Sequence, residues 1–181
     1  MSRAKCVVTG HDFQGRARIV SAGPVPGDES FVHIPGFSAA VFWQTPAQPQ
    51  VGQVSPNPLA ELTSVTPEVG GTTALFVTFP PEAATPPSIE QQEAAAAEMA
   101  ERLPGLAERF GDDDEPGFHR TDSIDYGVLI EGELTLHLDD GETCVLKPGD
   151  VVVQMGTRHA WRNTGSTPAR MMFVMVGATR C

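Results

Sequence analysis

Three titratable side chains in the last third of the chain are the best candidates for chemistry: His119, Asp125 and His159. A histidine changes charge near neutral pH, and a carboxylate beside it fixes its orientation. Two imidazoles and one carboxylate in one pocket therefore predict acid–base catalysis. Structural roles are the alternative. His119 would then be a neutral, hydrogen-bonded imidazole, and Asp125 a buried carboxylate held by backbone N–H groups or by Arg120 or Arg162.

Strand-like runs and turns alternate from residue 117 to residue 178, and they must position these side chains. Leu134, Leu136 and Leu138 alternate with polar residues, which is typical of a half-buried strand. Asp139-Asp140-Gly141 follows as a hairpin turn. Further strand-like runs lie at 142–146, 151–153, 159–163 and 170–176. Short strands separated by regular turns predict an all-β sandwich or barrel rather than a parallel α/β fold.

Residues 1–80 add three β-prone runs, at 16–21, 39–43 and 73–79, with proline- and glycine-rich connections between them. We expect these runs to form an N-terminal β extension that completes the barrel. A length of 181 residues fits one domain with additions better than two domains. The sequence therefore predicts a single domain over residues 1–181, with its core motifs in residues 117–178.

Residues 88–110 predict a helical insertion. Ser88, with Gln91 three positions later, matches a capping box, and the alanine-rich run that follows has high helix propensity. Pro104-Gly105 should break this helix or split it in two. Two placements remain open, because the segment would fit either on the outside of the barrel or as a lid over the mouth of a pocket.

The composition excludes several classes of partner. A formal net charge of −11 should repel phosphate backbones and anionic lipid surfaces, which argues against nucleic acid and membrane partners. The sequence has no apolar run of about 18 residues and no apolar leader stretch near its first residues. Its three cysteines are widely spaced and form no disulfide framework. We therefore expect a cytoplasmic protein whose partner is a small molecule.

Two segments of the chain resemble the paired motifs of the cupin superfamily. The matching residues are His119-Arg120-Thr121, Asp125 and Gly132 in the first motif, and Pro148-Gly149-Asp150, Gly156, His159 and Asn163 in the second. The similarity is greatest to small single-domain cupins whose first motif reads His-Arg-Thr-Asp-x-x-Asp-Tyr. This resemblance implies a double-stranded β-helix, or jelly-roll, barrel.

The resemblance also implies a metal site, although this chain departs from the usual ligands. Cupins that bind metal usually use three histidines and one glutamate. His119 and His159 match two of these histidines, whereas Thr121 replaces the other histidine and Asp125 replaces the glutamate. Two imidazoles and one carboxylate make up an iron(II) facial triad and would also suit zinc, manganese or nickel. The resemblance therefore leaves two possibilities: a divalent metal on His119, Asp125 and His159, or a site that has lost its metal.

We expect substrate contacts from five further residues: Thr121, Tyr126, Gln154, Trp161 and Asn163. Trp161 would suit an aromatic or polyketide-like ring, and ordinary barrel packing explains it equally well. The expected function is a cupin-type oxygenase, decarboxylase, dehydratase or isomerase, with a metal or as a metal-free acid–base lyase or isomerase. The alternative is a small-molecule-binding protein without catalysis.

The resemblance further implies a homodimer. The N-terminal strands are candidates to cover an open sheet edge or to pair with a partner subunit, because an uncovered edge promotes unwanted pairing.

Overall fold

A computed structural model describes residues 4–52, 59–60, 62–83, 86–112 and 115–181. The strands are β1 (Lys5–His11), β2 (Ala17–Pro24), β3 (Ser38–Thr45), β4 (Thr72–Phe79), β5 (Ser123–Glu131), β6 (Leu134–His137), β7 (Thr143–Leu146), β8 (Val151–Met155), β9 (Ala160–Arg162) and β10 (Ala169–Gly177). One α-helix, α1 (Ile89–Arg102), and two 3-10 helices, Ala107–Asp112 and Asp139–Gly141, complete the elements described. The mainly β fold class predicted from the sequence is confirmed.

Two antiparallel sheets enclose one core. The larger sheet has the order β3-β4-β10-β5-β8, and the smaller has the order β7-β6-β9. Leu129 and Met171 on the larger sheet belong to the same buried cluster as Leu134 and Leu146 on the smaller one. Because successive side chains of a strand point to opposite faces, each sheet turns one apolar face toward the other. This arrangement is the double-stranded β-helix barrel expected from the motifs.

The interior of the larger sheet is polar at one end and apolar at the other. Strand pairing places Gln44, Thr73, Met175, Asp125 and Gln154 side by side in one row across all five strands. The rows beyond it hold mostly apolar side chains, among them Leu75, Phe173, Val77, Met171 and Leu129. The polar row therefore marks the end of the barrel where chemistry is possible.

The N-terminal segment joins the barrel only in part. Strands β3 and β4 extend the larger sheet, whereas β1 and β2 form a separate two-stranded hairpin whose residues are mostly exposed. Strand β1 was not predicted, since Lys5–His11 lacks a continuous apolar run. Residues 1–3, 53–58 and 61 of this segment lie outside the described residues. The homodimer stays a prediction.

The helical insertion has the predicted start and the predicted break. Ser88 and Gln91 form a capping box at the start of α1. The helix ends at Arg102, and Gly105, with a φ of +77°, turns the chain into the 3-10 helix Ala107–Asp112. Leu103 is fully buried and anchors the segment on the barrel. Within the described ranges, no helix has the length and apolar character needed to cross a bilayer.

Gly132, the last residue of the first motif, should be far less tolerant of substitution than Gly141. Both have a φ near +77°, so alanine at either site costs about 1–2 kcal/mol of left-handed strain. A Cβ at Gly132 would also lie 2.5 Å from the Pro168 carbonyl oxygen, whereas Gly141 has open space around it. We expect Gly132→Ala to lower the free energy of unfolding in urea clearly more than Gly141→Ala. Equal losses would contradict the packing described for this turn.

Candidate functional site

His119 and His159 form a hydrogen-bonded antiparallel pair at the polar end of the barrel. The His119 N–H donates to the His159 carbonyl and the His159 N–H to the His119 carbonyl, each over 3.0 Å. Residues paired in this way direct their side chains to the same face of the sheet. The two rings therefore lie next to each other, with centroids 4.4 Å apart and planes inclined by 49°.

A backbone carbonyl fixes the tautomer of each ring. His119 Nδ1 lies 3.3 Å from the Gly117 oxygen, and His159 Nδ1 lies 3.0 Å from the Thr157 oxygen. Because a carbonyl oxygen only accepts hydrogen bonds, Nδ1 must carry the proton in both rings. In a neutral imidazole the other nitrogen, Nε2, then holds the lone pair. The pair thus offers two Nε2 acceptors in neighbouring positions.

Burial keeps both imidazoles neutral. It lowers the pKa of His119 to about 3, and the charge of a protonated His159 lowers this pKa as well, against the opposing effect of the Gly117 carbonyl. Burial also lowers the pKa of His159, opposed by the Thr157 carbonyl. At neutral pH the pair is therefore uncharged, and protonation of one ring disfavours protonation of the other.

Aromatic side chains enclose the pair. The Phe110 ring packs on His119 with centroids 4.2 Å apart, and Trp161 meets His159 edge-on at 5.9 Å. Trp161 also packs against Phe173 of the core. Phe110 was not identified as a site residue from the sequence. Its contact with His119 depends on the 3-10 helix after Gly105, which no local sequence signal predicted.

Asp125 is held by two hydroxyl groups. Ser123 Oγ donates to Asp125 Oδ1 over 2.6 Å, and Thr121 Oγ1 donates to Asp125 Oδ2 over a longer 3.4 Å. Burial raises the pKa of Asp125, and the two hydroxyls partly oppose this effect. The arginines considered from the sequence are elsewhere: Arg120 is exposed, and Arg162 donates to the Pro116 carbonyl. Ser123 was missed, although alternation at 121, 123 and 125 places it on the Asp125 face.

The predicted metal ligands do not meet at one point. Among the residues described, no three His, Cys, Asp or Glu side chains are grouped so as to hold a metal ion. His119 and His159 are adjacent, but the oxygens of Asp125 are engaged by Ser123 and Thr121. The residues present therefore do not fit a metal held by three protein ligands. Metal binding by this protein stays a prediction.

Gln154 and Thr121 take the interior positions expected of substrate contacts. Both are buried, and Gln154 lies directly opposite Asp125 on the neighbouring strand. Gln154 Oε1 accepts a hydrogen bond of 2.7 Å from Thr157 Oγ1. Gln154 Nε2 is also buried, and it has no hydrogen-bond partner in the described part of the chain. Trp161, as the contact with His159 shows, belongs to the same site.

The structure does not bring Tyr126 and Asn163 to this site. Tyr126 follows Asp125 on β5, so it faces outward and is half-exposed. Asn163 Nδ2 donates to the carbonyls of Phe79 and Thr167, and its Oδ1 accepts from the Gly165 N–H. These bonds use the Asn163 amide to fasten the loop between β9 and β10, which is a structural role.

A cleft of about 970 Å³ lies at the polar end of the barrel. Its lining includes Gln44 and Thr73, which are also the first two members of the polar row that ends at Asp125 and Gln154. Asp122 and Arg180 form an ion pair of 2.8 Å at its edge. The lining does not include His119, His159, Asp125 or Gln154, so the cleft is related to these residues only through the shared row of the sheet.

Comparisons with known proteins identify relatives of this chain. Residues 110–175 match the family profile described as a cupin domain. A cupin-domain-containing oxidoreductase of Neurospora crassa, srdB, is 30% identical over 170 residues, which cover 93% of this chain and 71% of that protein. A phomopsin biosynthesis cluster protein, C', of Diaporthe leptostromiformis is 42% identical over 104 residues, covering 57% of this chain and 51% of that one.

Comparison with solved structures also finds cupin proteins. A cupin 2 conserved barrel domain protein from Salinispora arenicola has a TM-score of 0.41 and 15% identity, covering 78% of this chain and 76% of that one. Among the curated relatives, the match to the two phomopsin cluster proteins spans about half of their length.

The neutral histidine pair should make the chelator-treated protein less stable in mild acid. Below pH 6.5 both histidines are protonated in the unfolded chain, whereas burial lowers the pKa of both in the fold, so the unfolded state binds more protons. The free energy of unfolding should then fall by up to about 1.4 kcal/mol per pH unit for each histidine. Asp125 contributes a slope of the opposite sign. Because its pKa is raised in the fold, the free energy of unfolding that it contributes falls as the pH rises.

Urea titrations between pH 7 and pH 5 measure this slope. We expect His119→Gln to have a shallower slope than the natural sequence, because Asp125 contributes equally to both. The exposed His11, changed to Gln, is the matched control. An unaltered slope in His119→Gln would contradict a buried neutral His119.

Proposed function

Because the chain belongs to the cupin family, we propose that it is an enzyme of small-molecule metabolism that moves a proton on an organic substrate at the His119–His159 pair. The observation that carries this proposal is the pair of Nε2 acceptors, each prepared by an Nδ1–H bond to a backbone carbonyl. Such a ring accepts a proton without changing its tautomer or its orientation.

The proposed reaction uses one of the two rings as base. A substrate O–H or activated C–H placed against Nε2 gives up its proton to the ring, and the Nδ1–H bond to the carbonyl stabilises the imidazolium. The same Nε2 then returns the proton to another atom of the substrate. This sequence changes neither the number of electrons nor the number of protons overall, so it fits an isomerisation, or an elimination when a leaving group takes the proton.

The names of the relatives favour a secondary metabolite as substrate. Similar chains are named as proteins of the phomopsin and oryzines biosynthesis clusters. The aromatic rings of Phe110 and Trp161 beside the two imidazoles favour a flat or aromatic substrate. They would also exclude water from the proton being transferred.

An oxidoreductase is the second candidate. Several relatives carry the name cupin-domain-containing oxidoreductase, among them fogC of Aspergillus ruber and virC of Hypocrea virens. This activity would require an electron acceptor such as molecular oxygen, which a bound iron(II) ion could activate. It ranks second because the Asp125 oxygens are engaged by hydroxyls rather than directed to the histidines.

Hydrogen exchange on a panel of α-aryl ketones in D2O separates the candidates. With chelator-treated protein, we expect NMR to show deuterium entering the acidic C–H position beside the carbonyl. His159→Ala should slow this exchange by about 100-fold or more, because it removes the proton acceptor. His33→Ala, an exposed histidine away from the pair, is the matched control and should retain the full rate.

The other outcomes identify the competing functions. Oxidation of the ketone that disappears with chelator and returns with iron or manganese in the presence of oxygen would favour the oxidoreductase, whereas exchange that returns only with a metal would indicate metal-dependent proton transfer. Elemental analysis should then find about one metal per chain, lost in His159→Ala. Ketones that bind without any chemical change, with or without metal, would indicate a non-catalytic binding protein.

A further inference from the structure

We infer that Gln154 is the ligand-orienting donor of this site, and that the ligand pairs a neutral carbonyl oxygen, bound by Gln154 Nε2, with an O–H group bound by the histidines. The inference rests on the proposed small-molecule site and adds the chemical class of its ligand.

The Gln154 amide is only half satisfied. Gln154 is 4% exposed, and the pairing of β8 with β5 turns its side chain to the same inner face as Asp125. Its oxygen accepts from Thr157, but Nε2 has no hydrogen-bond partner among the described residues. A buried donor without a partner is destabilising, and folded proteins leave few of them. An oxygen atom of a ligand would satisfy it.

The neighbour of Gln154 selects a neutral acceptor. Asp125 stands directly opposite Gln154, where cross-strand Cβ atoms are about 4.5–5.5 Å apart. A ligand carboxylate at Nε2 would place a second carboxyl group beside Asp125, and like charges at this distance repel. A ketone or aldehyde oxygen accepts the same hydrogen bond without this penalty.

The histidine pair selects a donor. Both rings offer Nε2 as an acceptor, so the complementary ligand group is an O–H. The rings of Phe110 and Trp161 favour a flat ligand between these two points. A hydroxylated aromatic aldehyde or ketone contains all of these features. Such a compound serves as a probe of the site whatever the natural ligand is.

Titration calorimetry with the three hydroxybenzaldehyde isomers tests the assignment. The three isomers differ in the distance between the hydroxyl group and the carbonyl oxygen. The matching cresols have nearly the same shape but carry a methyl group in place of the aldehyde. We expect at least one aldehyde to bind about tenfold more tightly than its cresol. Gln154→Met should abolish this difference and leave cresol binding unchanged, because methionine keeps the shape but has no donor.

A purely structural role for Gln154 would give a different pattern. Thr157 is exposed, so water can replace its bond to Gln154, and we expect Gln154→Met to melt no lower than the natural sequence. Gln154→Leu likewise has no N–H donor, so it should show the same loss of aldehyde preference. It also provides the test if Gln154→Met does not fold.

Two results would overturn the inference while leaving the proposed function intact. One is an aldehyde preference that persists in both Gln154 variants. The other is the absence of any aldehyde preference in the natural sequence, which would mean that Nε2 binds only water. A different result would contradict the proposed function itself. This result is that the His159→Phe variant binds every phenol as tightly as the natural sequence does.

Discussion

The exchange of backbone hydrogen bonds between His119 and His159 is the constraint on which the site depends. It fixes two chain segments that are far apart in sequence, and it turns both imidazoles to the same face. Each ring is then fastened through Nδ1 to a carbonyl two residues before it. The backbone therefore decides the position, the tautomer and the free nitrogen of both rings. A ligand that donates hydrogen bonds would therefore meet two Nε2 acceptors at this point.

The division of the barrel interior explains how such a polar site is tolerated. Leu129 and Met171 lie in the apolar rows of the larger sheet, where burial stabilises the fold. Asp125 and Gln154 lie in the polar row, where Ser123 and Thr157 supply hydrogen bonds. Within the described residues, Gln154 Nε2 in this row has no hydrogen-bond partner. Proteins commonly keep such locally unfavourable features at functional sites, and the core offsets their cost.

The sequence predicted the fold well and the side-chain contacts less well. Strand alternation and turn residues located the barrel, and the capping box at Ser88 located the start of the helix, because these signals are local. The direction of the Asp125 carboxylate was not predictable from motif spacing, since it depends on the hydrogen bonds from Ser123 and Thr121. The contact of Phe110 with His119 depends on tertiary packing after a helix break. Tyr126 was expected to contact the substrate, whereas alternation along β5 places its side chain outward.

Nitrogen-15 NMR of the imidazoles measures the charge and the tautomer of His119 and His159 directly. In protein labelled at its histidines and treated with chelator, His119→Gln and His159→Gln assign the two signals by their disappearance. We predict that both rings are neutral at pH 7 with the proton on Nδ1, and that His119 shows no titration down to pH 5. A charged ring at pH 7, or a proton on Nε2 in either ring, would contradict the arrangement from which the proposed function is derived.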